Sequence, residues 1–292
     1  MSVILNALAA FGAGALAANV GAVNAFILTG VLAIIGGICQ CLGLADGLTG
    51  IVAFGTVFGP HLSFAAGAAA AAYAKKIGKL DSGTNLGLGL ASLGEPSVLL
   101  VGGVFGIIGW VIGTYVAPFI FGTLLPVGTD NPGFAVVCSG IIARLCFTKG
   151  GLMSKNPSDL SKGKALGNVL IRGIGYSLMV GGTAVALNAA GVSLAGYNII
   201  IFGLAAVSLI FPGNASWHHT GIISAYAAMT AVNAGLGEVA VVLMAVACGL
   251  GATLLCNFEN CMFNSEVDSH IDGEGFSIFI MTVVVNLIGM AL

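Results

Sequence analysis

Charged side chains are scarce in this sequence, because Asp, Glu, Lys and Arg together make up 7% of its 292 residues. An ordinary soluble domain contains about 25%. Hydrophobic residues reach 58%, and the mean hydropathy is +1.07. A soluble domain of this length must cover its surface with polar groups that this sequence does not supply. The composition therefore predicts a protein embedded in a lipid bilayer.

The hydrophobic stretches also lack any alternation of polar and apolar residues. Backbone amides inside a bilayer must be hydrogen-bonded within the protein, so only helices and closed barrels can span it. A barrel strand alternates between apolar and polar residues, whereas residues 98–121 and 239–256 are apolar at nearly every position. We therefore predict an all-α polytopic membrane protein.

Sequence motifs for cofactors are missing too. The seven cysteines form no C-x-x-C pair and mostly lie in apolar runs, where cysteine behaves as a small hydrophobic residue. The chain has no phosphate-binding loop, dinucleotide fingerprint or haem-attachment motif. Its nine Lys and Arg residues are too few for a nucleic-acid surface. We expect no cofactor, no nucleic-acid partner and no enzymatic activity.

Glycine, in contrast, is abundant, with 46 residues. Small residues let membrane helices approach each other closely, and glycine marks the breaks in discontinuous membrane helices. The glycine content therefore predicts tight helix packing, either within the chain or against a second copy, and we expect a homo-oligomer.

The basic residues form two clusters, which the positive-inside rule assigns to the cytoplasmic side. They are Lys75, Lys76 and Lys79, followed by Arg144, Lys149, Lys155, Lys162, Lys164 and Arg172. The polar loop at 257–275 carries five carboxylates but no basic residue, which suggests an external location. Four crossings after Arg172 would instead place this loop inside. The sequence leaves these two alternatives open.

The chain contains about ten transmembrane or re-entrant helical segments, which divide into two similar halves. Each half has an apolar helix that opens with an asparagine, Asn24 or Asn198, then a Phe with a Pro/Gly break, a His, and an Ala-rich helix with a Tyr. We predict two inverted structural repeats with discontinuous helices. The N-terminal membrane repeat is 1–147, a cytoplasmic basic linker is 148–167, and the C-terminal membrane repeat is 168–292.

The helix breaks are the leading candidates for a substrate site. A helix broken inside the bilayer exposes backbone groups and half-helix dipoles that can bind a polar solute or an ion. Imidazole, amide and hydroxyl groups suit a neutral polar solute, and histidine also suits a proton-coupled step. In the alternative, the breaks are interfacial turns anchored by Trp217. The predicted substrate-binding residues are His61, Ser63, Asn214, Ser216, His218, His219 and Thr220, together with Asn24 and Asn198.

The loop at 265–274 has a carboxylate or an imidazole at every second position. In an extended chain these side chains share one side, and hard cations prefer oxygen ligands. The predicted metal ligands are Asp268, His270 and Asp272, and a solvated acidic loop is the alternative. Asp46 and Glu95 are weaker candidates, as ionisable groups near the ends of predicted spans.

These features predict a channel or secondary transporter for a small polar solute or ion, located in the cytoplasmic membrane of the cell. The solute and the lipid bilayer are its expected partners. One alternative is an integral membrane subunit that translocates only within a larger complex. A second, less well supported by the sequence, is an intramembrane enzyme that uses the histidines and acidic residues.

Overall fold

The computed structural model describes residues 2–44, 47–158 and 163–292, so Asp46 and Lys162 lie outside the described residues. The described part is helical and contains no strand, which confirms the all-α prediction. Its α-helices are α1 (Val3–Val20), α2 (Ala22–Cys41), α3 (Phe64–Lys76), α4 (Pro96–Val111), α5 (Asn131–Phe147), α6 (Gly163–Ala189), α7 (Tyr197–Val207), α8 (His218–Asn233), α9 (Glu238–Phe263) and α10 (Gly273–Ala291).

Six helices in the described part are long and apolar enough to cross a membrane. They are Val3–Val20, Ala22–Cys41, Pro96–Leu124, Ala165–Ala189, Glu238–Phe263 and Gly273–Ala291. The third of these is α4 continued through π-helical turns. A bilayer core needs about 20 residues of helix, so these six fit and the remaining helices are shorter.

Two of the short helices, α3 and α8, follow breaks in the chain. A π-helical segment, Leu48–Thr56, contains a non-helical Gly55 and gives way to turns before α3 begins at Phe64. Pro60 lies in these turns, where its ring and missing N–H prevent a continuous helix. In the second half, α7 ends in a short 3-10 turn, Ser208–Ile210, and α8 begins only at His218. Both Pro/Gly breaks therefore lie where the sequence predicts them.

Close packing through small residues joins helices within this one chain. Helix α1 packs antiparallel on α4, with Gly14 against Gly102, and α6 packs antiparallel on α9, with Gly181 against Ala245. At the centre, α2 packs antiparallel on α7. A Cβ at Gly30 would lie 2.7 Å from Ala206 Cβ and 2.9 Å from the carbonyl oxygen of Gly203. These distances explain part of the high glycine content.

The end of the bundle that carries Lys75, Lys76, Arg144 and Lys149 is called the basic face. Lys75 Nζ lies 3.7 Å from Asp268 Oδ1, and Asn156 Nδ2 donates a 2.7 Å hydrogen bond to Glu266 Oε2. The acidic loop therefore lies on the basic face. Of the two alternatives that the sequence leaves open, this position corresponds to the one in which the loop and the basic clusters share a side.

The other end of the bundle is called the opposite face. There α2 ends and α7 begins, with Gly37 packed against Gly196. The C-terminal part of α10 reaches the same end, because Asn286 Nδ2 donates to the carbonyl oxygen of Gly128, just before α5. Helices α5 and α10 consequently run in opposite directions between the two faces.

The contact between α2 and α7 gives a test of the packing. Gly30→Val should overpack this contact and lower the stability by about 1–3 kcal/mol. Gly12→Val is the matched control, because a Cβ at Gly12 has no neighbour within 4 Å in the described structure. Thermal unfolding in detergent measures both variants. Equal stability of the two would contradict this helix packing.

Candidate functional site

Helices α5 and α10 begin with the same local structure. Asp130 Oδ1 accepts a 2.6 Å hydrogen bond from the amide of Gly133, and Asp272 Oδ2 accepts a 2.7 Å bond from the amide of Gly275. Each aspartate is thus an N-cap that satisfies a first-turn amide without an intrahelical partner. The two segments share the pattern Asp-x-x-Gly-Phe, which ends at Phe134 in one of them.

The two capped ends lie against each other. A Cβ at Gly133 would be 2.9 Å from the carbonyl oxygen of Gly275, and a Cβ at Gly275 would be 3.1 Å from that of Gly133. Only glycine permits this approach of two backbones without a shift. Because helix N-termini carry partial positive charge, their meeting point favours carboxylates and anions. We call this contact between the N-termini of α5 and α10 the crossing.

A cluster of aromatic rings lies beside the crossing. The His218 ring is 4.7 Å from the Phe26 ring and 5.6 Å from the Phe202 ring, between centroids. His218, Asp130 and Asp272 line one narrow cleft of about 30 Å³. His218 Nδ1 is 2.8 Å from Ser216 Oγ, so a residue of the break between α7 and α8 positions the imidazole.

A polar cavity of about 210 Å³ lies on the side of the crossing toward the basic face; we call it the His219 cavity. Its lining includes Arg172, Tyr176, Ser216, His219, Thr220, Thr253, Cys256, Asn257, Asn260 and Glu274. Thr220 Oγ1 and Thr253 Oγ1 share a 2.7 Å hydrogen bond. Among the described residues, His219 Nδ1 is buried and has no hydrogen-bond partner.

A second polar cavity, of about 290 Å³, belongs to the first half; we call it the His61 cavity. Its lining includes Asn6, Gly50, Phe54, Thr56, His61, Trp110, Thr114, Asn131 and Pro132. His61 is 6% exposed, and in the described part of the chain its Nδ1 also has no hydrogen-bond partner. The His61 cavity is therefore built from α1, the π-helical segment Leu48–Thr56, the Pro96–Leu124 helix, the start of α5 and His61 just before α3. The His219 cavity is built from α6, α8, α9, the start of α10 and the residues just before α8.

The cavities lie toward different faces. The His219 cavity includes Asn260, near the end of α9 at the basic face. The His61 cavity includes Asn6, near the start of α1, and Thr114, in the later part of the Pro96–Leu124 helix. Helix α1 ends beside Gly89, in the loop that follows α3 at the basic face, so its start lies toward the opposite face. The ring cluster contacts the linings of both cavities, because the Phe202 ring is 5.2 Å from that of Phe54 in the His61 cavity and His218 Nδ1 is 2.8 Å from Ser216 Oγ in the His219 cavity.

The other predicted substrate residues do not line the two polar cavities. Most of them form hydrogen bonds that stabilise the backbone at the breaks and at the start of α2. Ser63 Oγ is 3.0 Å from the carbonyl oxygen of Phe58 at the first break. Asn214 Nδ2 donates to Ser208 O and Ser208 Oγ, at 2.9 and 2.8 Å, and so closes the second break. Asn24 Nδ2 donates to backbone carbonyls at the start of α2. Asn198 lies half-buried in the first turn of α7.

Glu95 is also a structural residue. It is the N-cap of α4, and its Oε1 accepts a 2.8 Å hydrogen bond from Ser97 Oγ. The hydrogen bonds from the side chain and backbone of Ser97 lower the pKa of the Glu95 carboxyl. The carboxylate is thus held in its charged form at the helix start.

The predicted metal ligands are only partly together. His270 Nε2 is 3.2 Å from Asp272 Oδ1, whereas Asp268 pairs with Lys75 and is exposed. The third ligand-type group beside His270 and Asp272 is Glu274, with donor atoms of all three within 4.8 Å of one another. The pattern of a carboxylate or an imidazole at every second position continues into the first turn of α10, where it includes Glu274.

A buried arginine, which sequence reasoning assigned only to the basic cluster, fixes this region. Arg144 is 1% exposed. Its guanidinium donates to the carbonyl oxygens of Leu152, Phe263 and Ser269, to Ser269 Oγ and to Asn264 Oδ1. Because a buried charge must be paired or hydrogen-bonded, this set of acceptors defines the path of the loop that leads to α10.

Asn264 extends this network to an unexpected buried acid. Its Nδ2 donates a 2.9 Å hydrogen bond to Glu259 Oε2, and its Oδ1 accepts a 3.0 Å bond from the amide of Ile271. Glu259 is 1% exposed, and its Oε1 has no hydrogen-bond partner among the described residues. Arg144, Asn264 and Glu259 together position the segment that carries His270, Asp272 and Glu274.

The model of DUF7973, a family of unknown function, matches residues 1–159, which is more than half of the chain. The chain belongs to this family. The matched residues include α1 to α5 and the His61 cavity, and they end in the segment between α5 and α6. No curated protein and no solved structure matches the chain.

Replacement of Arg144 tests the network. Arg144→Gln should leave several buried carbonyl groups without donors and lower the stability by about 3 kcal/mol or more, since each buried acceptor left unsatisfied costs about 1–3 kcal/mol. Lys149→Gln, at an exposed position on the same face, should change it by no more than about 0.5 kcal/mol. Unfolding in detergent and the rate of protease cleavage within 264–272 measure the effect. Unchanged cleavage in Arg144→Gln would contradict its role in holding the loop.

Proposed function

We propose that this protein is a secondary transporter for a small polar solute or ion in the cytoplasmic membrane. The observation that carries the proposal is the pair of polar, histidine-lined cavities on either side of the crossing. A transporter with alternating access needs a solute site that each side of the membrane reaches in turn. Two cavities that lie toward different faces and approach the same pair of helix N-termini fit this requirement.

The proposed architecture is two inverted repeats, α1–α5 and α6–α10. The packing pairs correspond: α1 on α4 and α6 on α9, α3 on α4 and α8 on α9, α3 on α5 and α8 on α10. The pairs α2 with α7 and α5 with α10 join the halves. Gly21 and Gly196, with φ of 99° and 74°, precede the second helix of each half. In this arrangement the four shorter helices, α3, α5, α7 and α8, are membrane segments of the broken spans. Together with the six long helices they give ten segments.

A carrier fits this arrangement better than an open channel. The contacting rings of Phe26, Phe202 and His218 form a layer beside the crossing, and we propose that this layer closes the path between the two cavities. Movement of a solute past this layer requires the helices to shift. The narrow cleft beside it contains Asp130 and Asp272, which would be exposed to each cavity in turn.

The orientation in the membrane follows from the positive-inside rule. The basic face, with Lys75 and Lys149, is proposed to face the cytoplasm. The His219 cavity is then the cytoplasmic cavity and the His61 cavity the external one. The polar groups of both cavities suit a small hydrophilic solute, since neither is dominated by large apolar side chains.

Flux into proteoliposomes tests the proposal. Wild-type protein should transport a subset of a panel of neutral, anionic and cationic small solutes, with saturation. His218→Ala should reduce this flux at least about tenfold, the effect of losing about 1.4 kcal/mol of binding free energy. Glu266→Gln, in the exposed loop at the basic face, should retain it.

All variants are first shown to be monodisperse in detergent. Absence of flux above empty liposomes for every solute would contradict the proposal and favour a subunit that translocates only with partners. Flux that is equal in wild type and His218→Ala would place the path elsewhere.

A further inference from the structure

Three helices bring an imidazole, a thiol and a carboxylate together in the His219 cavity. The donor atoms of His219, Cys256 and Glu274 all lie within 4.8 Å of one another. His219 and Glu274 are each the second residue of a helix, and Cys256 lies about two turns before the end of α9. The three side chains are far apart in sequence, so the fold itself creates their convergence.

One nitrogen of the imidazole in this group lacks a hydrogen-bond partner among the described residues. His219 is 5% exposed, and its Nδ1 is among the buried side-chain atoms without a hydrogen bond in the described structure. Buried polar atoms are hydrogen-bonded in the great majority of cases, and an exception requires an explanation such as an ion or a water. Cys256 is also 5% exposed, and the side-chain Nδ2 of Asn260 donates a 3.3 Å hydrogen bond to its Sγ. A ligand in the cavity would satisfy the histidine.

The chemistry of the three donors selects the ligand. Thiolate and imidazole bind borderline-soft metals such as Zn²⁺ and Co²⁺, whereas Mg²⁺ and Ca²⁺ prefer oxygen alone. Three protein donors leave a fourth tetrahedral position for water or an exchanging group. The thiolate and the carboxylate together balance the charge of a divalent ion.

We propose that His219, Cys256 and Glu274 form a binding site for a divalent transition-metal ion of the zinc or cobalt type. Binding forms a metal–sulfur bond and releases the thiol proton to solvent. That the bound ion is also the transported solute rests on the proposed function above. Arg172 lines the same cavity and opposes cation binding, while Glu274 and the thiolate compensate for its charge.

The neighbouring residues are arranged to support such a site. Asp272 and His270 interact at 3.2 Å, and their donor atoms lie within 4.8 Å of those of Glu274. Asp272 also caps α10 and thereby fixes the first helical turn, which contains Glu274. Partners that orient ligands in this way commonly change metal affinity by 10- to 100-fold, roughly.

Titration of the purified full-length protein in detergent with Co²⁺ tests the site directly. Wild-type protein, after treatment with a chelator, should develop a thiolate-to-cobalt charge-transfer band that saturates at one equivalent and disappears on addition of Zn²⁺. Cys256→Ser should lose the band. Cys248→Ser is the matched control, because Cys248 is buried on the same helix but is not in the triad, and it should retain the band.

Glu274→Gln provides a second variant that does not depend on the folding of Cys256→Ser. It should keep the sulfur band and weaken Co²⁺ binding at least about tenfold, since loss of a direct ligand should cost no less than loss of a supporting partner. A wild-type protein without the band, or a band that persists unchanged in folded Cys256→Ser, would overturn the site. An affinity unchanged in Glu274→Gln would likewise remove that residue from it.

Flux measurements separate this proposal from the proposed function. Binding of Co²⁺ with no flux of any solute would support the site and contradict transport. Saturable flux of a non-metal solute in a protein without the sulfur band would support transport and contradict the site.

Discussion

The N-terminal ends of α5 and α10 pack against each other at Gly133 and Gly275 inside a bundle whose outer surface is apolar. Each end carries backbone amides that an α-helix cannot satisfy by itself, and lipid supplies no hydrogen bonds. Asp130 and Asp272 satisfy one amide each at 2.6 and 2.7 Å. Without these caps, and without glycine at the contact, two helix starts would not be stable so close together. The positions of the cavity residues follow from this contact.

The crossing determines which side chains enter each cavity. Asn131 follows the cap of α5 and lines the His61 cavity, while Glu274 lies two residues after the cap of α10 and lines the His219 cavity. Since the two helices run in opposite directions, first-turn residues of the two starts reach cavities that lie toward different faces. A polar group can therefore be placed deep in an apolar bundle on both sides of one contact.

Much of the architecture could be predicted from the sequence because the bilayer restricts the possibilities. Composition alone gives helices, and Pro60 and the residues before His218 identify the two breaks through known effects on helix geometry. The same effects identify His61, His218 and His219 as candidates, and all three line the cavities or the cleft. These predictions depend on local chemistry, which a single sequence contains.

Features that depend on contacts between distant residues could not be predicted in the same way. The Asp-x-x-Gly-Phe pattern is short and is conspicuous only when its two copies are seen in contact. From the sequence, Arg144 is only one of the basic residues that indicate membrane orientation. Its buried role is not evident there, because acceptors such as Phe263 and Ser269 are more than a hundred residues away. The alternating pattern groups Asp268 with His270, but in the structure Asp268 pairs with Lys75 at the surface. The side of its loop stays open from the sequence for the same reason, because charge bias alone does not include packing.

The most direct test of the two-cavity arrangement is the side from which each cavity can be labelled. In a background without the native cysteines, a membrane-impermeant thiol reagent is applied to sealed vesicles of known orientation. Asn257→Cys in the His219 cavity should react from the side of the basic face, and Thr114→Cys in the His61 cavity should react from the other side. Labelling of both positions from the same side only would contradict two cavities that lie toward different faces.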